Sequence, residues 1–288
     1  MSKIIKNVRE NDILRESFFK LAKETYGIPF KEWYEQGYWT DKYMPYAIVE
    51  GNEIVANASV NRIKFNHNGK IKNCVQVGTV MTKPSHRNKG LSRMLMKEII
   101  ADWRDKSDLI YLFANDSVVE FYPKFGFEKR IEEQYLFSVD TQKSDFIKLD
   151  VDNEIDKKCL FECYKKGNPF SKFEMIDNIE LVMFYCSSVM KESIYYSKKH
   201  NTAVIGVQEN EEFICYDVFG DSKASLTDLL AEVVNSNVKR VVLGFTPKDI
   251  TGMESSIFEM EDTTLFELKN DSSSKFKENE MFPLLSYA

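Results

Sequence analysis

Apolar and polar positions follow two rhythms along this chain. A short apolar run at 3–8 reads as a strand. Asn11 or Asp12 then stands ahead of Ile13, Leu14, Phe18, Leu21 and Ala22, the spacing of one helical face behind a capping residue. Strands follow at 45–50, 53–65 and 71–82. The turn signals Gly51-Asn52 and Asn66-His67-Asn68-Gly69 lie between them, so an antiparallel meander is expected, with His67 a solvated turn residue. In 53–65 the phase set by Ile54, Ala56, Ala58 and Val60 breaks to Ile63 and Phe65, which predicts a bulge near Asn61. Leu91, Met94, Leu95, Ile99 and Trp103 then fall on one face of a helix reaching about residue 106. The continuous apolar run 109–114 is the pattern of a buried parallel strand, joined to 71–82 by a right-handed crossover. Asp116 or Ser117 caps a short helix that Gly126 closes, and a last strand runs over 133–139.

A polar stretch at 140–150 interrupts the pattern, and a fainter copy of the same order follows. Helices are expected around Cys159, Leu160 and Cys163 and over about 177–188. Strands are expected at 193–197, 202–208 and 211–219, then a helix at 226–235 and a strand at 238–244. The apolar tail 281–288 reads as a docked end. The fold class is α/β (α+β), with two domains at 1–140 and 146–288. Each is a mixed, mostly antiparallel sheet with helices on both faces and a central parallel pair.

Composition adds limits. The 288 residues are 43% hydrophobic, with a mean hydropathy of −0.38, and no apolar run approaches the ~18 residues of a membrane span. The start has no long apolar region, so a secretory signal is not expected. Five scattered cysteines point to reduced thiols in a cytoplasm. Residues 1–140 carry 22 Lys and Arg against 19 Asp and Glu, and the remainder 17 against 26. The acidic second half disfavours nucleic acid and would attract a cationic acceptor. Cys159 and Cys163 lie at helical spacing with His200 the nearest histidine in sequence. Four ligands are lacking, and no metal is expected.

The candidate chemistry is concentrated at 78–92. Strand residues run into Pro84, which ends the ladder, and Arg87, Asn88, Lys89 and Gly90 precede the helix that begins at Leu91. The first N–H groups of a helix lack internal partners, so this junction is built for phosphate. A mononucleotide loop requires Gly-Lys followed by Ser or Thr, and a dinucleotide loop three glycines; neither is present. What fits is Arg/Gln-x-x-Gly-x-Gly/Ala, filled by Arg87, Asn88, Lys89, Gly90, Leu91 and Ser92. This resembles the acetyl-CoA pyrophosphate loop of the GCN5-related N-acetyltransferases (GNAT), with Ser92 where the family usually has Gly or Ala. The stretch 109–127, with Asn115 ending a strand and Tyr122 shortly before Gly126-Phe127, resembles the family's other signature. Together they cover about residues 3–140. The repetition beyond resembles a degenerate second copy, with Gly220-Asp221-Ser222-Lys223-Ala224-Ser225 in place of the cradle and no expected cofactor site.

The resemblance implies acetyl transfer from acetyl-CoA to a primary amine by direct attack in a ternary complex. Backbone groups of Val80, Met81 and Thr82 would pair with the pantetheine arm, an N–H of Val80 or Met81 would polarise the thioester, Asn115 would reach the arm, and Tyr122 would protonate the leaving thiolate. Candidate bases are Glu35, Asp41, Glu53, Glu120 and an α-carboxylate at Ala288. Tyr26, Phe30, Trp33, Tyr34, Tyr38, Trp39, Tyr43 and Tyr46 either border the acceptor or pack against the sheet. A non-catalytic acyl-CoA sensor and a tandem-domain aminoacyl transferase are the alternative functions.

Overall fold

The computed structural model describes residues 3–6, 8–269 and 279–288. In chain order the first half holds β1 (Ile4–Lys6), α1 (Asp12–Tyr26), α2 (Phe30–Glu35), β2 (Tyr43–Glu50), β3 (Glu53–His67), β4 (Lys70–Thr82), α3 (Leu91–Trp103), β5 (Leu109–Ala114), β6 (Phe127–Lys129) and β7 (Glu132–Ser138). The second holds β8 (Ile147–Lys148), α4 (Glu154–Tyr164), β9 (Phe173–Ile176), α5 (Ile179–Cys186), β10 (Ile194–Ser197), β11 (Thr202–Glu209), β12 (Glu212–Gly220), α6 (Leu226–Val233), β13 (Arg240–Leu243), β14 (Glu254–Ile257), β15 (Thr264–Leu268) and β16 (Asn279–Glu280). Asn11 is the cap of α1, its Oδ1 accepting from the Leu14 N–H at 3.0 Å.

Two eight-stranded sheets result, mostly antiparallel, each with a parallel pair inside it: β4 with β5, and β12 with β13. The first runs β1-β2-β3-β4-β5-β15-β6, with β9 added to the end of β3. The second runs β14-β7-β13-β12-β11-β10-β8, with β16 beside β7. The sheets exchange strands. β7, placed by sequence at the end of the first unit, pairs with β13 and β14 of the second sheet. β15 returns from the far end of the chain to lie between β5 and β6, and β9 pairs with 64–67 of β3. The crossing therefore falls between β6 and β7, ahead of the polar stretch at 140–150. β9, β14 and β15 have only four or five residues each, too few for an alternating pattern to stand out.

Side chains explain the interlock. Ile63, Phe65 and Tyr111 of the first sheet share one buried cluster with Leu160, Phe173, Phe219, Phe282 and Leu285 from the second half. α1 and α2 cover one face of the first sheet and α3 the other, so β3 is buried without a break from Ile54 to Asn61. That two-sided burial accounts for the broken alternation in β3. The extra residue lies on β4 instead: Asn57 pairs with Met81 and Ser59 with Gly78, leaving Thr79 and Val80 opposite Ala58. His67 is not a solvated turn residue. It is mostly buried, with Nε2 2.7 Å from the Glu280 carboxylate. Among the described residues no helix is long and apolar enough to cross a membrane.

Candidate active site

β4 and β5 pair only at Cys74–Leu109, Val75–Ile110 and Gln76–Tyr111, and then diverge. Among the described residues β4 has no strand on that side from residue 77 onward, which leaves a ladder edge for an extended arm. The bulge lies on this edge. Thr79 has φ 50°, a costly conformation for a β-branched residue. It is held from both ends: Tyr43 Oη and Thr79 Oγ1 are 2.6 Å apart, and Asn57 Nδ2 donates to the Thr79 carbonyl at 2.9 Å. Thr79 and Val80 are thereby turned out of the β3 ladder, while the Tyr26 hydroxyl donates to the Val80 carbonyl at 2.8 Å. Met81 is buried against the α1 and α2 side.

Thr82 leads into the cradle. Its Oγ1 lies 2.9 Å from Ser92 Oγ, tying the strand end to the first turn of α3, and Leu91 is buried beneath. The serine departure from the motif therefore has a local use. Arg87, Asn88, Lys89 and Gly90 are exposed. Gly90 caps α3 with φ 77°, offers no side-chain acceptor, and has open space where a Cβ would sit. The helix start is thus left to an external anion, with two cations beside it. The second copy differs. Ser225 Oγ accepts from the Asp228 N–H at the start of α6, and Asp221 is paired with Lys166 at 2.9 Å.

Tyr122 lies in a 3₁₀ turn after β5, buried against Phe127 and Phe266. Burial, with a smaller push from the neighbouring Tyr26 phenol, raises its pKa well above the usual value, so it stays protonated at neutral pH. Asn115 is directed elsewhere than expected. Its Nδ2 donates to Asp262 Oδ2 at 2.8 Å, and Asp262 also accepts from the Asp116 N–H, so the strand end is clamped to the second half rather than turned toward an arm.

Across the bulge from the cradle lies a cavity of about 250 Å³. Phe30, Trp33 and Tyr43 come from the aromatic segment 26–46, and Phe184 and Tyr185 come from α5. Trp33 Nε1 donates to the Glu180 carbonyl at 2.8 Å, fastening α2 to α5. Tyr34 and Trp39 instead pack with Phe18 and Phe19, so the rings of the segment divide between the cavity wall and packing against α1. Gln76 and Asn61 form the floor, Lys42 and Glu180 are ion-paired at the wall, and Asn178 completes the polar lining. None of Glu35, Asp41, Glu53 and Glu120 lines this cavity. Asp41 pairs with Arg9 and Glu53 with Lys83. Sequence reasoning missed Gln76, Asn61, Asn178 and Glu180. The signal for the first two was polar residues at Asn57, Ser59, Asn61 and Gln76 inside otherwise apolar strands.

The tail enters here. Tyr287 stacks on Phe113 with ring centroids 3.7 Å apart, its carbonyl accepts from the Tyr185 hydroxyl at 2.5 Å, and Ala288 lies against Gly78. Glu132 anchors it from behind, accepting from the Phe282 N–H at 2.7 Å and from the Tyr287 hydroxyl at 3.3 Å. Burial pushes the Glu132 carboxyl up to about 7. A raised carboxyl binds its proton more tightly folded than unfolded, so stability falls as pH rises from the ordinary carboxylate range to about 7. Glu132→Gln, which keeps the tail contacts, is expected to flatten that slope by at most about 1.4 kcal/mol per pH unit. Denaturant titrations at pH 5, 6 and 7 would measure it. Asp217, also buried and pushed up to about 7, leaves part of the slope in place.

Among the described residues Asp145, His200 and Glu232 are the one group at metal-ligand spacing, and Lys199 Nζ already lies 2.7 Å from Glu232.

Residues 5–130 match the family model described as an acetyltransferase (GNAT) domain. Solved structures share the fold over nearly the whole chain. A conserved protein of unknown function from Enterococcus faecalis V583, described as a probable N-acyltransferase, is 17% identical with a TM-score of 0.60, over 93% of this chain and 72% of that one. A GCN5-related N-acetyltransferase from Kribbella flavida is 13% identical with a TM-score of 0.55, over 92% and 71%. Eis1 from Mycobacterium abscessus is 11% identical with a TM-score of 0.56, over 92% and 73%. No curated protein matches the chain at a significant level. The bulged, splayed strand pair and the open helix cradle both lie inside the segment, residues 5–130, that matches the GNAT acetyltransferase domain.

Proposed function

We propose that this protein transfers an acetyl group from acetyl-CoA to the primary amine of an acceptor seated in the aromatic cavity. The observation that carries the reading is the continuity of three features along one strand. The free edge of β4 ends at the uncapped start of α3, and the bulge at Thr79–Val80 lies between that edge and the cavity. The residues suit acetyl-CoA. Arg87, Lys89 and the first N–H groups of α3 receive the diphosphate, and the edge of Val80–Thr82 receives the pantetheine amides.

The neutral amine attacks the thioester carbonyl carbon, with the N–H of Val80 or Met81 taking up the developing oxyanion charge. The C–S bond breaks, sulfur keeps the electron pair and takes a proton from the Tyr122 hydroxyl, and the proton lost by nitrogen passes to solvent. Tyr122 regains a proton from solvent, so the products are the acetamide and coenzyme A, with no net proton released from the neutral amine. Tyr122→Phe is expected to lower kcat by about 10²-fold with little change in the KM for acetyl-CoA. A thiol-release assay reads both constants, and an unchanged kcat removes Tyr122 from the mechanism. Calorimetry with acetyl-CoA followed by thiol release over a panel of amines tests the proposal as a whole. Failure to bind acetyl-CoA, or binding without turnover on any amine, would overturn it.

A further inference from the structure

Resting on that reading, we infer that the acceptor is a small monoamine with one flat apolar body bearing a hydrogen-bonding group, and not a polycation. The wall is aromatic on several sides. Phe184 lies 5.8 Å from Phe30 and 5.7 Å from Trp33 between ring centroids, and Tyr287 with its partner Phe113 closes another side. About 250 Å³ holds an arylalkylamine and is too small for an oligosaccharide-sized amine.

The charges in the lining argue the same way. Its charged side chains are Lys42 and Glu180, and their Nζ and Oε2 are 2.7 Å apart. The one side-chain carboxylate is therefore neutralised before an acceptor arrives. A second or third ammonium group would enter a largely apolar space whose one side-chain carboxylate is already paired, at a desolvation cost that disfavours it. The single reacting ammonium meets aromatic faces on the way in, which suit one cation.

The polar atoms add a requirement. Gln76 is 1% exposed and Asn178 is 2% exposed, both line the cavity, and Gln76 Oε1 and Asn178 Nδ2 meet no partner among the described residues. A buried amide atom left unpaired costs about 1–3 kcal/mol. Both atoms are turned into the wall, and a hydroxyl on the acceptor, both donor and acceptor, can satisfy either once that amide rotates to face the cavity. Tyramine has the required features: a flat ring, one amine and a distal hydroxyl.

The full chain would be assayed for thiol release with tyramine, 2-phenylethylamine, spermidine, kanamycin and a lysine peptide. Tyramine binding without acetyl-CoA would be measured by calorimetry. The expected order places tyramine ahead of 2-phenylethylamine, and both at least about 100-fold ahead of spermidine and kanamycin in kcat/KM. Gln76→Leu is expected to narrow the tyramine preference about tenfold, and Phe184→Ala to weaken both arylalkylamines. A preference for spermidine, kanamycin or the peptide overturns the inference. So does acetyl-CoA binding accompanied by neither binding nor acetylation of tyramine, which leaves the transferase reading intact. Tyramine binding that Phe184→Ala abolishes, in a protein that ignores acetyl-CoA, supports the cavity and overturns the transferase.

Discussion

Residues 1–140 expressed alone are expected not to fold. β5 is joined to β4 by three residue pairs, and its other edge is completed by β15, which the fragment lacks. β7 would have no sheet, since its partners β13, β14 and β16 lie beyond residue 140. The shared cluster would open as well. Ile63, Phe65 and Tyr111 are at most 1% exposed in the whole chain and pack against the second half. Uncovering each such side chain costs about 1.5–3 kcal/mol, against a typical total stability of about 5–15 kcal/mol. Circular dichroism and dye binding on the fragment would show loss of cooperative unfolding and exposed apolar surface. A fragment that melts in one sharp transition and binds acetyl-CoA would refute the interlocked architecture.

Gly78→Val is the second large effect. Valine suits a strand interior better than glycine, so β4 itself gains. The difficulty lies opposite. A Cβ at residue 78 would stand 2.3 Å from the Ala288 carbonyl oxygen and 3.0 Å from its carbon, both backbone atoms. The tail must leave, and Tyr287 with it, which removes one wall of the cavity. We expect acetyl-CoA affinity within about threefold of the parent, since the cradle at 87–92 lies beyond the end of β4. The kcat/KM for the amine is expected to fall by about 100-fold, the scale of losing productive alignment. Hydrogen exchange should show faster exchange at residues 281–288. Protection unchanged there, with activity intact, would show that the tail can yield without consequence.

Much of the first sheet was legible because its signals are local. Strand 109–114 matches its sequence bounds, Asn11 caps its helix, and Gly90 lies in the conformation its motif requires. The cradle was legible for the same reason: strand, loop and helix start are contiguous. The strand exchange was not legible. Which sheet β7 joins depends on β13 and β14, more than 100 residues away, and an alternating pattern gives the face of a strand without its neighbour. Asn115 shows the same limit, since its partner Asp262 lies in a turn with no motif. The cavity was partly visible. Asn57, Ser59 and Asn61 broke the apolar pattern of β3, but α5, which supplies Glu180 and Phe184, looked like any core helix.

The place of β15 bears on how the protein is made. At about 5–20 residues per second, a ribosome needs roughly 8 to 30 s to synthesise the 150 residues that separate Ala114 from Thr264. Through that interval the nascent chain carries an unpaired, apolar strand edge that nothing yet translated can cover. Native completion of the first sheet must then wait until β15 has been synthesised, and overproduction without holding chaperones should favour aggregation of the partly made chain over degradation of the finished one.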